Sequence, residues 1–237
     1  MCFDCLAMNR RKFLSFSAAG VAASGLIGFG ARPVMASGGT SLSPDEALAK
    51  LKAGNAKYVA APELCEANLK ANRAEVAKGQ QPWATILGCA DSRTAPEMLF
   101  GGVGLGELFV ARNAGNMADI TTLGAIEYGV EHLGSPLLVV MGHSRCGAVS
   151  AACDVVAKGA KLEGPIKAMV DPIVPAAQAM QGKAGDFVDN TVRESAKRTA
   201  GQVVANSKIV AEHVHHGKLK VVTAYYNLDT GVVEFTA

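Results

Sequence analysis

The sequence predicts an α/β fold: a single domain with a mostly parallel central β-sheet flanked by helices, and an N-terminal helical extension. Three observations lead there. Residues 83–88 (W-A-T-I-L-G), 108–111 (L-F-V-A) and 137–141 (L-L-V-V-M) are short apolar runs without polar alternation, the pattern of strands buried on both faces. Apolar residues at helical spacing fill stretches between them. Each run also ends in residues that carry chemistry, and α/β sheets hold their ligands at the carboxyl ends of strands.

The elements run in chain order. Ser43-Pro44-Asp45-Glu46 is a capping box with proline at the first helical position, so a helix starts there and runs to about Val59, with Ala47, Leu48, Leu51 and Tyr58 on one side. A second helical piece covers 63–78 and stops at Gly79. The strand at 83–88 comes next, then the strand at 108–111. Residues 120–133 form a helix, with Leu123, Ile126, Tyr128 and Val130 at helical spacing. The strand at 137–141 leads into a helix over 146–158. Residues 159–183 carry no usable motif, and 190–216 read as one long helix. Two late strands, 220–225 and 232–235, flank the turn Asp229-Thr230-Gly231.

The N-terminus reads differently. N-R-R-K at 9–12 precedes Phe13-Leu14, and 13–31 carry no charge. Val34 and Ala36 supply small residues at a cleavable end, so 1–36 read as a signal peptide of the twin-arginine type, cut after Ala36. An uncleaved anchor is the alternative, but Gly20, Gly25, Gly28 and Gly30 with three serines make a poor bilayer helix. The expected protein is therefore periplasmic, a single domain over 37–237 with no stable membrane association.

The 237 residues are 49% hydrophobic and 19% charged, enough to bury a core, and carry a net charge of +2. The leader contributes Arg10, Arg11, Lys12 and Arg32 against Asp4. Residues 37–237 hold 19 basic and 20 acidic residues, a net charge of −1. With aromatics at 5%, this excludes a nucleic-acid partner, which would need a basic face and rings for stacking. Cys2 and Cys5 fall in the leader, leaving Cys65, Cys89, Cys146 and Cys153.

The strand ends carry Cys89-Ala90-Asp91-Ser92-Arg93, Arg112-Asn113-Ala114-Gly115-Asn116 and His143-Ser144-Arg145-Cys146-Gly147. Cys89, His143 and Cys146 offer two thiolates and an imidazole, soft and borderline donors that suit zinc. His143 and Cys146 lie within one turn, and the sheet can bring Cys89 to them. Three ligands leave the open position of a catalytic zinc, whereas a structural zinc would need a fourth. Read singly, Cys89 is a small buried hydrophobe and His143 a hydrogen-bonded core residue. Asp91 and Arg93 favour catalysis: a carboxylate can accept a hydrogen bond from the metal's water, and a guanidinium can hold that carboxylate ionised. A plain salt bridge that organises the loop is the other reading of this pair.

The C-A-D-S-R and H-S-R-C-G motifs together resemble the β-class carbonic anhydrases. The likeness extends to L-x-x-G-N at 51–55, G-Q-Q-P at 79–82, R-N-A-G-N at 112–116, I-E-Y at 126–128 and the closing stretch from Ala224 to Phe235. The resemblance implies one Zn2+ held by Cys89, His143 and Cys146, with Asp91 and Arg93 as the catalytic dyad. Asp91 either occupies the fourth zinc position or pairs with Arg93 while water binds. It implies substrate-binding roles for Gln80, Phe109, Gly115 and Tyr128, and a homodimer or homotetramer. The implied reaction is reversible hydration of carbon dioxide to bicarbonate and a proton. Hydrolysis of carbonyl sulfide or carbon disulfide on the same site, and non-catalytic zinc binding, are the alternatives. His213, His215 and His216 read as a surface cluster.

Overall fold

The computed structural model describes residues 39–64 and 69–236; the expected leader and Cys65 lie outside these. Helix α1 (Pro44–Ala60) starts on the expected capping box: Ser43 Oγ accepts from the Glu46 amide at 3.3 Å, and Glu46 accepts from the Ser43 amide at 2.7 Å. It buries Ala47, Leu51, Gly54 and Asn55. Gly54 is there because the backbone of Phe100 leaves no room: a Cβ would stand 2.0 Å from its carbonyl oxygen. Of the second helix, α2 (Leu69–Val76) is described, after a 3-10 turn at Pro62–Leu64.

The strands are β1 (Ala84–Cys89), β2 (Leu108–Asn113), β3 (Leu137–His143), β4 (Lys220–Tyr226) and β5 (Val233–Thr236). They form one sheet in the order β2-β1-β3-β4-β5, parallel except for β5, which runs antiparallel to β4. Strands β2 and β3 run past their expected ends, to Asn113 and His143, so chemistry-bearing residues belong to the strands themselves. Alternate side chains feed two layers. Ile86, Val139, Met141, Val222 and Tyr226 pack with Leu51 of α1 and with Leu99 at the end of the short α3 (Pro96–Leu99). Leu87, Leu138 and Val140 face the other way, toward the helices later in the chain.

Those helices are α4 (Ile120–Glu127), α5 (Gly147–Lys158), α6 (Gly164–Val170), α7 (Val174–Met180), α8 (Phe187–Asn206) and α9 (Lys208–His215). Two differ from expectation. The helix expected over 120–133 widens after α4 into a π-helical turn, Tyr128–His132, with Leu133 N–H donating to Tyr128 O at 3.2 Å. The helix expected over 190–216 starts at Phe187 and is broken at Ser207. Its extended backbone ends α8, and its hydroxyl caps α9 through the Val210 amide at 3.1 Å while donating to Glu127 Oε1 at 2.6 Å. The motif-free stretch folds as α6, a 3-10 turn (Asp171–Ile173) and α7, and buries Val170, Ile173, Ala176 and Ala177.

Candidate metal centre

The order of the strands places the site. From β1 the chain moves to β2 on one side, then crosses back to β3 on the other. Connections therefore leave β1 and β3 in opposite directions, and sheets of this kind hold their ligands between the carboxyl ends of two such strands. Cys89 ends β1 and His143 ends β3. Cys146 caps α5 three residues later. One ligand atom from each lies within 4.8 Å of the others, and all three residues are buried.

The donor set fits zinc. Cys89 Sγ and Cys146 Sγ stand 3.9 Å apart. Two thiolates on one tetrahedral ion, each at about 2.3 Å, stand about 3.8 Å apart. His143 Nδ1 lies 3.0 Å from the Ser144 carbonyl, which can only accept, so Nδ1 carries the proton and Nε2 the lone pair. Nε2 is buried without a hydrogen-bond partner. A buried lone pair left bare is costly, and a metal satisfies it. The thiols are prepared as well. The contact with Cys146 lowers the Cys89 thiol, aided by His143 and the Gly115 and Asp91 amides, while the same contact and burial raise Cys146.

Asp91 stands at the rim of this group, its Oδ2 3.8 Å from His143 Nε2. It is turned to Arg93, which grips it with a fork: Nε to Oδ1 at 2.9 Å and Nη2 to Oδ2 at 2.6 Å, with the Arg93 amide adding 2.9 Å to Oδ1. The Arg93 guanidinium holds the carboxyl well below the usual carboxylate range, against the opposing effect of burial. Asp91 is thus an acceptor across the ordinary pH range.

Two residues that the sequence left without this role support the loops. Arg112, at the end of β2, donates from Nε to the Cys89 carbonyl at 2.8 Å and from Nη2 to the Asp91 carbonyl at 2.7 Å. Thr94 Oγ contacts the same two carbonyls at 3.1 and 2.8 Å. Ile173, in the motif-free stretch, packs with Met117, Val149 and Tyr225 around the two cysteines. Gly115, expected to bind substrate, directs its amide at Cys89 Sγ at 3.4 Å. It sits at φ +86°, a backbone conformation that favours glycine, and a Cβ there would crowd the tip of Ile173 at 2.7 Å.

The other expected pocket residues are elsewhere in the chain. Phe109 pairs with Thr85, four residues before Cys89 and so about 13 Å down the strand. Tyr128 stacks beside it at 6.0 Å, and Gln80 lies still further toward the amino ends of the strands, in a hollow with Trp83 and Lys50. Within one chain the structure does not bring Gln80, Phe109 or Tyr128 to the metal donors.

The comparisons with known proteins agree with this arrangement. The family described as carbonic anhydrase matches residues 84–233. Carbonic anhydrase 2 of Mycobacterium tuberculosis is 37% identical over 189 residues, which cover 80% of this chain and 91% of that protein. Among solved structures, the Coccomyxa β-carbonic anhydrase in complex with acetazolamide is 31% identical with a TM-score of 0.62, covering 70% of this chain and 77% of that one. A tetrameric β-carbonic anhydrase from Sordaria macrospora shares the fold at a TM-score of 0.62 and 24% identity, over 71% of this chain and 89% of that one. With the metal motifs, the parallel sheet and the buried Cys-His-Cys group in accord, the chain belongs to the β-carbonic anhydrase family.

Proposed function

We propose that this protein is a zinc enzyme that interconverts carbon dioxide and bicarbonate. The observation that carries the reading is the buried group of Cys89 Sγ, His143 Nε2 and Cys146 Sγ, with Nε2 otherwise unpartnered, in a member of this family. Zinc, when bound there, supplies the Lewis acidity that brings the ionisation of a water molecule from ~15.7 to near ~7. Three protein donors are one fewer than zinc's usual four, which leaves a place for water.

The rest is done by the chain. Asp91 Oδ2, 3.8 Å from His143 Nε2, accepts a hydrogen bond from the nucleophilic water and turns its lone pair toward the substrate carbon. Arg93 keeps that carboxylate charged and fixes its rotation, so orientation is set before carbon dioxide arrives. Met117, Val149 and Ile173 pack around the donors and suit an uncharged, apolar substrate. The Mycobacterium, Coccomyxa and Sordaria relatives are carbonic anhydrases by name, which favours carbon dioxide over carbonyl sulfide or carbon disulfide. Stopped-flow hydration of carbon dioxide with a zinc count on the same sample tests the reading. The expected result is about one zinc per chain and a rate that rises with pH. Fully loaded protein with no rate above buffer overturns it.

The oligomer and the address complete the proposal. A homodimer or homotetramer accords with the tetrameric assembly of the Sordaria enzymes, and with Gln80, Phe109 and Tyr128 lying away from the metal donors of their own chain. Sedimentation of the zinc-loaded protein checks this, and a monomer contradicts it. Residues 1–36 act as a twin-arginine leader that delivers 37–237, folded and loaded, to the periplasm. Among the described residues no helix is long and apolar enough to cross a membrane. N-terminal sequencing of the periplasmic protein should begin at Ser37; a mature end at Met1 or Met8 contradicts the leader.

A further inference from the structure

The loop that carries two of the three donors, His143-Ser144-Arg145-Cys146, is tied to the segment joining β4 to β5. The Ser144 amide donates to the Tyr226 carbonyl at 2.9 Å. The Leu228 amide donates to Ser144 Oγ at 2.9 Å. Arg145 forks onto Asp229, Nη1 to Oδ2 at 2.7 Å and Nη2 to Oδ1 at 2.9 Å. Arg145 holds φ at +53°, the left-handed region where glycine is favoured. The chain keeps an arginine where glycine would relieve the backbone, and its side chain reaches a residue 84 positions away.

Both ends of this contact are anchored. Arg145's carbonyl accepts from Arg93 Nη2 at 3.4 Å, the same nitrogen that holds Asp91 Oδ2 at 2.6 Å. The turn that presents Asp229 is stiff: Asn227 Oδ1 accepts from the Asp229 and Thr230 amides at 2.8 and 3.3 Å. Asn55 of α1, buried, donates to the Gly231 carbonyl at 2.9 Å and accepts from the Val233 amide at 2.8 Å. A continuous set of contacts thus runs from α1 through the turn to Asp229, Arg145, Arg93 and Asp91.

We propose that Asp229 is a positioning residue for the metal centre: by gripping the Arg145 fork it sets the His143–Cys146 loop and, through the Arg145 carbonyl, the guanidinium that orients Asp91. The proposal rests on the zinc hydratase reading. Both side chains are more than half exposed, and exposed pairs contribute little to stability, so the effect belongs in metal retention and turnover.

The test compares the zinc-loaded parent with Asp229→Asn, Asp229→Glu and Arg145→Gly, scoring zinc transfer to a chromophoric chelator, kcat and KM for carbon dioxide, and Tm. Asp229→Asn should lose zinc about tenfold faster and lose a similar factor in kcat, with KM unchanged. Its Tm should fall by no more than about 4 °C. Asp229→Glu should recover most of both losses. Arg145→Gly, which takes the left-handed backbone without strain, should match Asp229→Asn, and combining the two should add nothing further. Parent-like zinc retention and kcat in Asp229→Asn overturn the proposal, as do losses in the double variant that multiply. A parent that fails to bind zinc or to hydrate carbon dioxide instead overturns the reading beneath it, and that failure shows in the first sample measured.

Discussion

The two ends of the sheet are built by different means. At the carboxyl ends, short motifs set the reactive side chains themselves, with longer contacts only bracing the loops: Asp91 is gripped by Arg93 two positions on, and His143 sets its own tautomer on the next carbonyl. At the amino ends, long-range packing does the work. Trp83 is buried under α1, with Lys50 over its ring at 4.2 Å and its indole N–H on Glu107 at 3.1 Å. A hollow of about 700 Å³ opens there beside Gln80. The carboxyl ends hold the candidate chemistry, and the amino ends pack against the first turns of the N-terminal helix. Substitutions at the first should change reactivity with modest cost in stability, and substitutions at the second should do the reverse.

The sharpest way to break that division is to remove a donor. His143→Ala should abolish zinc binding and lower carbon dioxide hydration by more than about a thousandfold while the protein stays folded, as metal analysis and circular dichroism would show. Retained activity without zinc would remove the division altogether. A smaller effect is expected one contact away. Arg112→Ala takes the guanidinium off the Cys89 and Asp91 carbonyls, leaving only Thr94 on them, and should weaken zinc retention about tenfold, read by chelator competition.

The packing beneath α1 gives the converse. Leu51 is fully buried on α1, so Leu51→Ala should destabilise by about 2–5 kcal/mol in urea unfolding, with kcat per folded, zinc-loaded molecule unchanged. A loss of kcat at full zinc would show that the two ends are coupled.

The smallest effect is a pH signature. Asp91 ionises more readily folded than unfolded, so its contribution to stability is present above the unfolded value near ~3.9 and is lost as pH falls toward the lower folded value. Asp91→Asn should therefore flatten the fall in stability below about pH 4 and change little at pH 7 in slope. An unaltered acid limb would mean that the Arg93 fork does not hold in solution.

The same contrast decides what the sequence disclosed. Cys89 and His143 could be found because apolar runs mark their strands and a strand's end marks a site. Their convergence depended on the order β2-β1-β3, which periodicity does not encode. Ile173 was hidden because α6 and α7 pack through apolar residues between prolines and glycines, with no polar motif to mark them. The R-N-A-G-N motif puts Gly115 near the site, but its amide on Cys89 Sγ depends on a φ of +86° that a letter does not show. Ser207 leaves no mark in the sequence because apolar spacing continues across it while its hydroxyl restarts the helix. Gln80, Phe109 and Tyr128 came from resemblance, which carries roles across but not the place a side chain occupies within one chain.

One measurement reaches the centre of the account: zinc content and stopped-flow carbon dioxide hydration on the parent and Asp91→Ala, side by side. Asp91 supplies none of the three donors, so the account predicts equal zinc in both and a rate lower by roughly a hundredfold or more in the variant. Equal zinc with equal rates would contradict it, and would leave the Cys89-His143-Cys146 group a metal-binding site without the proposed chemistry.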